Sequence, residues 1–344
     1  MRFINLFFVG LIIFSCSKDN GNVKNFKKVT IETILEDSLS IRAIELTATN
    51  ELWFAANNGL YGRYTQENGM RMAAISYDSV LPSFRSIASN GENVFAMSIL
   101  NPALLYKLTP KPELVYKEEH EKVFYDALKF WNEKEGIAIG DPTDDCLSIV
   151  ITRDGGNSWE KLSCDILPTV IEGEAAFAAS NTNIEIIGDK TWVVSGGKQS
   201  RVFYSPDKGE SWEVYDTPIV QGIETQGIYS VDFYDEMHGF VIGGDYTKPD
   251  DNTKNKASTK DGGKSWDIIS DKKGPGYKSC IQYVPGSEGK AVIAIGFTGI
   301  SFSNDAGKHW KKLSDEGFYT IKFVNDSVAY AAGNKRIARL TFTE

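Results

Sequence analysis

The stretch T-R-D-G-G-N-S-W, residues 152–159, decides the fold because it recurs. S-P-D-K-G-E-S-W (205–212), T-K-D-G-G-K-S-W (259–266) and S-N-D-A-G-K-H-W (303–310) complete four copies of [ST]-x-D-x-G-x-x-W. At average composition this pattern arises at on the order of one position in a million, so the copies share one structural cause. Glycine at the fifth position permits a positive φ, and the Asp carboxylate can accept backbone N–H bonds inside a turn. The Trp then opens the next strand with a large ring to bury. The Trp residues recur every 44–54 residues, the period of a propeller built from small four-stranded sheets.

The rest of the chain can be phased on these turns. Each turn follows an alternating strand and then a strand rich in small and β-branched residues, as in residues 124–130 with 136–142 and 175–180 with 191–197. The couplet recurs at 228–233 with 239–246 and at 277–283 with 291–297. It appears without the turn at 40–59, 84–98 and 318–333. The expectation is a seven-bladed all-β propeller over residues 26–344, about 46 residues per blade. The last unit stops one strand short, and F-K-K-V-T-I-E-T-I (26–34) is expected to supply its outer strand and remove the open edges.

The repeated motif resembles the Asp box, or BNR repeat, of sialidases, sortilin-type receptors, xyloglucan hydrolases and photosystem II assembly factor-like proteins. That resemblance implies scaffold roles for Asp154, Trp159, Asp207, Trp212, Asp261, Trp266, Asp305 and Trp310, on a rim away from any central site. The last copy departs from the pattern, with His309 where Ser or Thr is usual. E-G-E-A-A-F-A-A-S (172–180), V-I-G-G-D-Y-T-K-P-D-D-N-T-K-N (241–255), P-G-Y-K-S-C-I-Q-Y-V-P-G (275–286) and A-I-G-D-P (138–142) look like a bacterial family of secreted BNR-type propellers. Its members often carry the names oxidoreductase or photosystem assembly factor-like. No G-x-G-x-x-G opens a helix after a strand and no Cys-x-x-Cys occurs, so the residues give redox chemistry no support.

The N-terminus reads as a separate element. Arg2 precedes the apolar run L-F-F-V-G-L-I-I-F (6–14), too short to span a bilayer as a finished helix. I-F-S-C (13–16) resembles the lipobox of bacterial lipoproteins, which implies a signal peptide over residues 1–15, acylation of Cys16 and a polar tether over 16–25. The expected location is the cell envelope, as an outer-membrane lipoprotein held by its lipid alone, periplasm-facing or surface-exposed. Cys146 and Cys164 flank the first D-G-G-N turn symmetrically, and a hairpin would bring them close, either bonded or as two buried thiols. Cys280 is left over for the core.

Bulk composition excludes some partners. A chain of 344 residues with 42% hydrophobic and 24% charged residues is an ordinary globular protein. Its net charge of -9 argues against a nucleic-acid or anionic-membrane surface. With three His and no EF-hand spacing, no metal site or cofactor is expected; Asp250 and Asp251 leave calcium conceivable only.

Chemistry is expected at the mouth of the central channel, where innermost strands begin and second strands end. Arg42, Arg85, Asp126, Glu174, Tyr229 and Lys278 fall at the first kind of place, and Asp141, Lys198, Asp245 and Tyr246 at the second. A sialidase would need an R-I-P motif, for which R-A-I and R-S-I stand here. The expectation is a monomer binding an envelope protein partner or an extracellular glycan through Arg42, Arg85 and their neighbours. The alternative is a glycoside hydrolase or lyase using carboxylates at the same mouth. Fatty-acid labelling checks the anchor: Cys16→Ala should abolish label uptake and release the protein from membranes, and an unlabelled wild type would refute the lipobox reading.

Overall fold

The computed structural model describes residues 24–344; the expected signal peptide, Cys16 and the expected tether up to residue 23 lie outside the described residues. Strands dominate, and the one helix among the described residues is a single 3-10 turn, Cys164–Ile166. No helix there is long and apolar enough to cross a membrane. The strands are antiparallel throughout and form sheets arranged around a central channel.

Hydrogen bonding groups the strands into six sheets, so the propeller has six blades and not the seven counted from the sequence. The reason lies in two unusually long strands, Lys28–Leu46 and Val328–Thr343. The first half of Lys28–Leu46 pairs with the end of the chain, through Val29 with Phe342, Ile31 with Leu340 and Thr33 with Ala338. Its second half pairs with Leu52–Ala56. The first and last couplets of the sequence are thereby joined in one six-stranded sheet, running from Thr320–Phe323 at one side to Gly69–Ala74 at the other. Phe26 secures this junction, its ring centroid 5.0 Å from that of Phe302 and 5.2 Å from that of Phe342.

A second departure concerns residues 175–180, read above as an innermost strand. Only Glu174–Ala175 is extended there, pairing with Gly196–Gly197 and so joining the sheet of Gln226–Phe233. Residues 176–183 leave strand geometry altogether before Ile184–Ile187 resumes it. Alanines make poor strand formers, and the Ser180-Asn181-Thr182 side chains compete for backbone partners.

The four repeated turns are built alike. In the first, Thr152 Oγ1 accepts from Gly156 N at 2.9 Å, Asp154 Oδ1 accepts from Ser158 N at 3.0 Å, and Trp159 Nε1 donates to Gly156 O at 3.2 Å. Partial burial would raise the Asp154 pKa, but the bonds from Ser158, Thr152 and Asn157 outweigh it and hold the carboxyl below its ordinary value. The second glycine is obligatory: Gly156 has φ +83°, and a Cβ there would stand 2.4 Å from the Phe95 ring of the preceding sheet. In the last copy His309 Nδ1 meets Asp305 Oδ2 at 2.6 Å, replacing the usual serine bond. Each turn therefore seats a Trp and clamps neighbouring sheets; Trp266, for example, shares a buried cluster with Trp192 and Val202 of the preceding sheet, and Trp192 Nε1 donates to Gly262 O in the turn at 2.8 Å.

Cys146 and Cys164 form a disulfide that ties the start of Ser148–Thr152 to the 3-10 turn, and Cys280 is a buried free thiol. Replacing Trp266 with Ala should cost about 3–5 kcal/mol, the usual range for truncating a large buried aromatic, with the channel mouth undisturbed. Denaturant melts measure the cost; a loss under about 1 kcal/mol would show that the turns do not clamp the sheets.

Candidate functional site

Residues 176–183 enter the channel and bond to the innermost strands around it. Asn181 Nδ2 donates to Ile87 O at 2.8 Å and its Oδ1 accepts from Leu128 N at 3.0 Å. Ser180 Oγ donates to Ser279 O at 2.7 Å, Thr320 Oγ1 donates to Ser180 O at 3.0 Å, and the Thr182 and Ser230 hydroxyls lie 2.7 Å apart. The segment plugs the channel, and its alanines form the floor of a cavity of about 540 Å³ at one mouth. That volume is typical of ligand pockets.

Two guanidinium groups stand over this floor. Arg42 Nη1 donates to Ala179 O at 3.4 Å and Arg85 Nη1 to Ala178 O at 3.5 Å, both long contacts. Arg42 Nε is buried without a partner, and the group lies 4.0 Å from the centroid of the Tyr319 ring. Neither arginine has an ion pair among the described residues. Burial and the adjacent Arg42 lower the Arg85 pKa, against the opposing pull of Asp126 and Tyr319.

The wall beside them is aromatic. Phe177 stacks on Tyr229 with centroids 4.0 Å apart, Tyr277 stands edge-on to Tyr229 at 4.8 Å, and Tyr246 and Phe297 extend the surface outward. The same mouth carries an acid pair. Asp126 is fully buried with neither carboxylate oxygen in a hydrogen bond, while Asp141 Oδ1 accepts from Ala176 N at 2.8 Å. Burial, then the Asp141 charge, pushes the Asp126 pKa well above the carboxylate range; Arg85 and the N–H groups of Ala178 and Asp141 oppose this without reaching hydrogen-bonding geometry. Burial likewise pushes Asp141 up to about 7.

The structure brings Arg42, Arg85, Asp141, Tyr229 and Tyr246 together at the cavity, with Asp126 behind its wall. It separates the others. Glu174 is spent on Arg201, whose Nε reaches its Oε1 at 2.9 Å, and on Ser195 Oγ at 2.6 Å. Asp245 shapes its own turn, accepting from Thr247 N at 2.9 Å and Thr247 Oγ1 at 2.6 Å. Lys198 lies over Gly173, and Lys278 turns away to Thr298 and Gly299. Sequence reasoning missed Phe124, Phe177, Glu224, Tyr277, Phe297 and Tyr319. Tyr277 and Tyr319 each stand beside an innermost strand, as Arg42 and Arg85 do within theirs, so position could have found them. No residue of the repeated turns lines the cavity.

The loops on the cavity face carry exposed apolar side chains: Val80, Leu81, Leu100, Ile166, Ile171, Ile223 and Phe297. They are spread over separate loops, and of them only Phe297 lines the cavity.

No family model matches the chain, and no curated protein matches it in sequence. Solved structures do share its shape. YCF48 bound to a D1 peptide superposes with a TM-score of 0.66 at 13% identity, covering 94% of this chain and 99% of that one. YCF48 from Cyanidioschyzon merolae gives 0.62 at 14% identity, covering 91% and 98%. The RRP9 WD40 repeats give 0.63 at 12% identity, covering 91% and 97%. At these identities the likeness carries the propeller fold alone.

The acid pair generates a pH prediction. Asp141 titrates at about 7 in the folded protein against an ordinary 3.8, so the folded state holds more protons than the unfolded chain between those values. Its contribution therefore falls as pH rises from about 4 to about 7. Asp141→Asn removes that contribution while its amide oxygen can still accept from Ala176 N. Thermal melts from pH 4 to 8 should decline less steeply for the variant; parallel curves would place the linkage elsewhere.

Proposed function

We propose that this protein is a binding propeller of the cell envelope whose channel mouth grips a carboxylate-bearing, apolar segment of a partner protein. One observation carries the reading: two guanidiniums without carboxylate partners stand on the floor of an aromatic cavity. Such groups are strong bidentate donors for carboxylates, and their present long bonds to carbonyls leave most of that capacity unused. Tyr246 and Phe297, exposed while lining the cavity, carry its apolar surface outward, which favours a macromolecular partner over a free small molecule. A propeller of similar shape has been solved with a peptide bound, which makes a peptide-binding role a natural one for the architecture. The lipid anchor at Cys16 would hold this surface at the outer membrane.

A second reading has its own observation. Asp141, pushed up to about 7 in the cavity wall, has the proton affinity of a general acid, and Glu224 supplies another carboxylate at the same cavity. That pairing keeps glycan hydrolysis or lysis in play, and the same experiment discriminates.

The tagged protein should retain a partner from native envelope extracts, and Arg42→Ala or Arg85→Ala should each weaken retention by tenfold or more, about 1.4 kcal/mol. Retention that survives the double replacement would place the working surface elsewhere. Turnover of a glycan panel that is lost in Asp141→Asn would replace the binding reading with the enzymatic one.

A further inference from the structure

Lys278, turned away from the mouth, leads to a separate cavity. It is 2% exposed, and its Nζ donates to Thr298 Oγ1 at 2.8 Å and Gly299 O at 2.9 Å. Both acceptors are neutral. Burial, and then the nearby cation Lys312, push its pKa down to about 8. Lys322, another lysine of the interior, shows the ordinary solution, with Glu45 at 3.2 Å. An ammonium buried without a counter-ion is costly, and two bonds to neutral oxygens offset only part of that cost.

The cavity holds about 210 Å³ and shares no lining residue with the channel mouth. Lys278, Thr298 and Ser301 line it together with Lys311, Lys312 and Trp310, and Asp250 is its one acidic lining residue. Residues 274–276 also line it, and they are held from behind by Lys256, another buried ammonium bonded only to neutral oxygens: Asn255 Oδ1, Lys273 O and Pro275 O. Lys311 rests on Asn25 Oδ1 and Lys312 pairs with the exposed Asp315, surface contacts that an incoming dianion can displace.

We propose that this groove is an anion site for a tetrahedral oxyanion, phosphate or sulfate, carried on a ring that lies against Trp310. Ammonium groups are compact point charges that suit a tetrahedral oxyanion, whereas a planar carboxylate is better met by the guanidinium fork found at the mouth. The Ser301 hydroxyl adds a neutral donor, whereas Thr298 Oγ1, which accepts from Lys278, donates to Tyr277 O at 3.3 Å and serves to position the ammonium. Trp310 spends its Nε1 on Gly307 O and leaves carbon surface on the groove. The proposal stands independently of the mouth and of what the mouth binds.

Thermal melts in inorganic phosphate or sulfate, against chloride at equal ionic strength, test it. The wild type should show a saturable rise in Tm with both ions. Phenyl phosphate and phenyl sulfate should each saturate at lower concentration than the bare ions, and their ranking identifies which ester the groove prefers. Lys278→Met should fold at least as stably as the wild type without anion, and lose the rise or need tenfold more ion. Lys312→Gln, a surface change, should fold normally and weaken the effect severalfold. A wild type that responds no more to phosphate and sulfate than to chloride overturns the proposal. So does a Lys278→Met protein that titrates like the wild type, or, should that variant fail to fold, a Lys312→Gln protein that does.

Discussion

The structure depends on what fills its channel. A ring of sheets leaves a hole whose lining must satisfy backbone groups and exclude or order water. Here residues 176–183 do so, meeting Arg42, Arg85, Ile87, Leu128, Ser230, Ser279 and Thr320 on the strands around the ring. A buried polar network fixes the arrangement of the members it connects, and here it connects Ser180, Asn181 and Thr182 while Asn183 and Arg42 Nε stay outside it. This one sets the spacing of the innermost strands and, at the same stroke, the depth of the mouth cavity. Alanine at positions 175, 176, 178 and 179 lets the backbone lie low enough to leave the cavity open, and Phe177 alone rises into its wall.

The same plug explains the electrostatics above it. Its carbonyls at Ala178 and Ala179 face the guanidiniums, while its N–H at Ala176 faces Asp141. Carbonyls and an N–H of one short peptide thus meet the cations and one of the acids respectively. Burial pushes the Asp126 carboxyl well above the carboxylate range, and no hydrogen bond or ion pair joins it to Arg85, whose guanidinium is left without a carboxylate partner. A mouth built only to close the channel would have paired these groups directly, as Glu174 and Arg201 are paired a few residues away.

Much of this was legible in the sequence, and the failures have physical causes. The turns around Asp154, Asp207, Asp261 and Asp305 announce themselves because local hydrogen bonds and positive-φ glycines depend on residues close in sequence. The number of sheets does not, because it depends on whether Lys28–Leu46 breaks between its two partners, a matter of ladder continuity that strand couplets cannot reveal. Arg42 and Arg85 reached the site since their positions at the mouth ends of innermost strands fix their direction. Glu174 and Lys278 occupy similar positions but found closer partners in Arg201 and Thr298, and long side chains take the nearest one. The alanine segment read as a strand because small residues suit both a tight innermost strand and a close-packed plug.

The junction of residues 28–36 with 336–343 has a consequence for how the molecule is made. The two partners are nearly the whole chain apart, so this ladder cannot form until the last residues have been synthesised. Until then the N-terminal strand waits with an unpaired edge, the state in which strands recruit the wrong neighbours. Its composition suits the wait: Lys27, Lys28, Glu32, Glu36 and Asp37 scatter charge along it, and such charges discourage pairing with another copy. Propeller assembly is then a slow, non-local search whose final step joins first to last, and a chain cut short by even its final strand would remain an open ring.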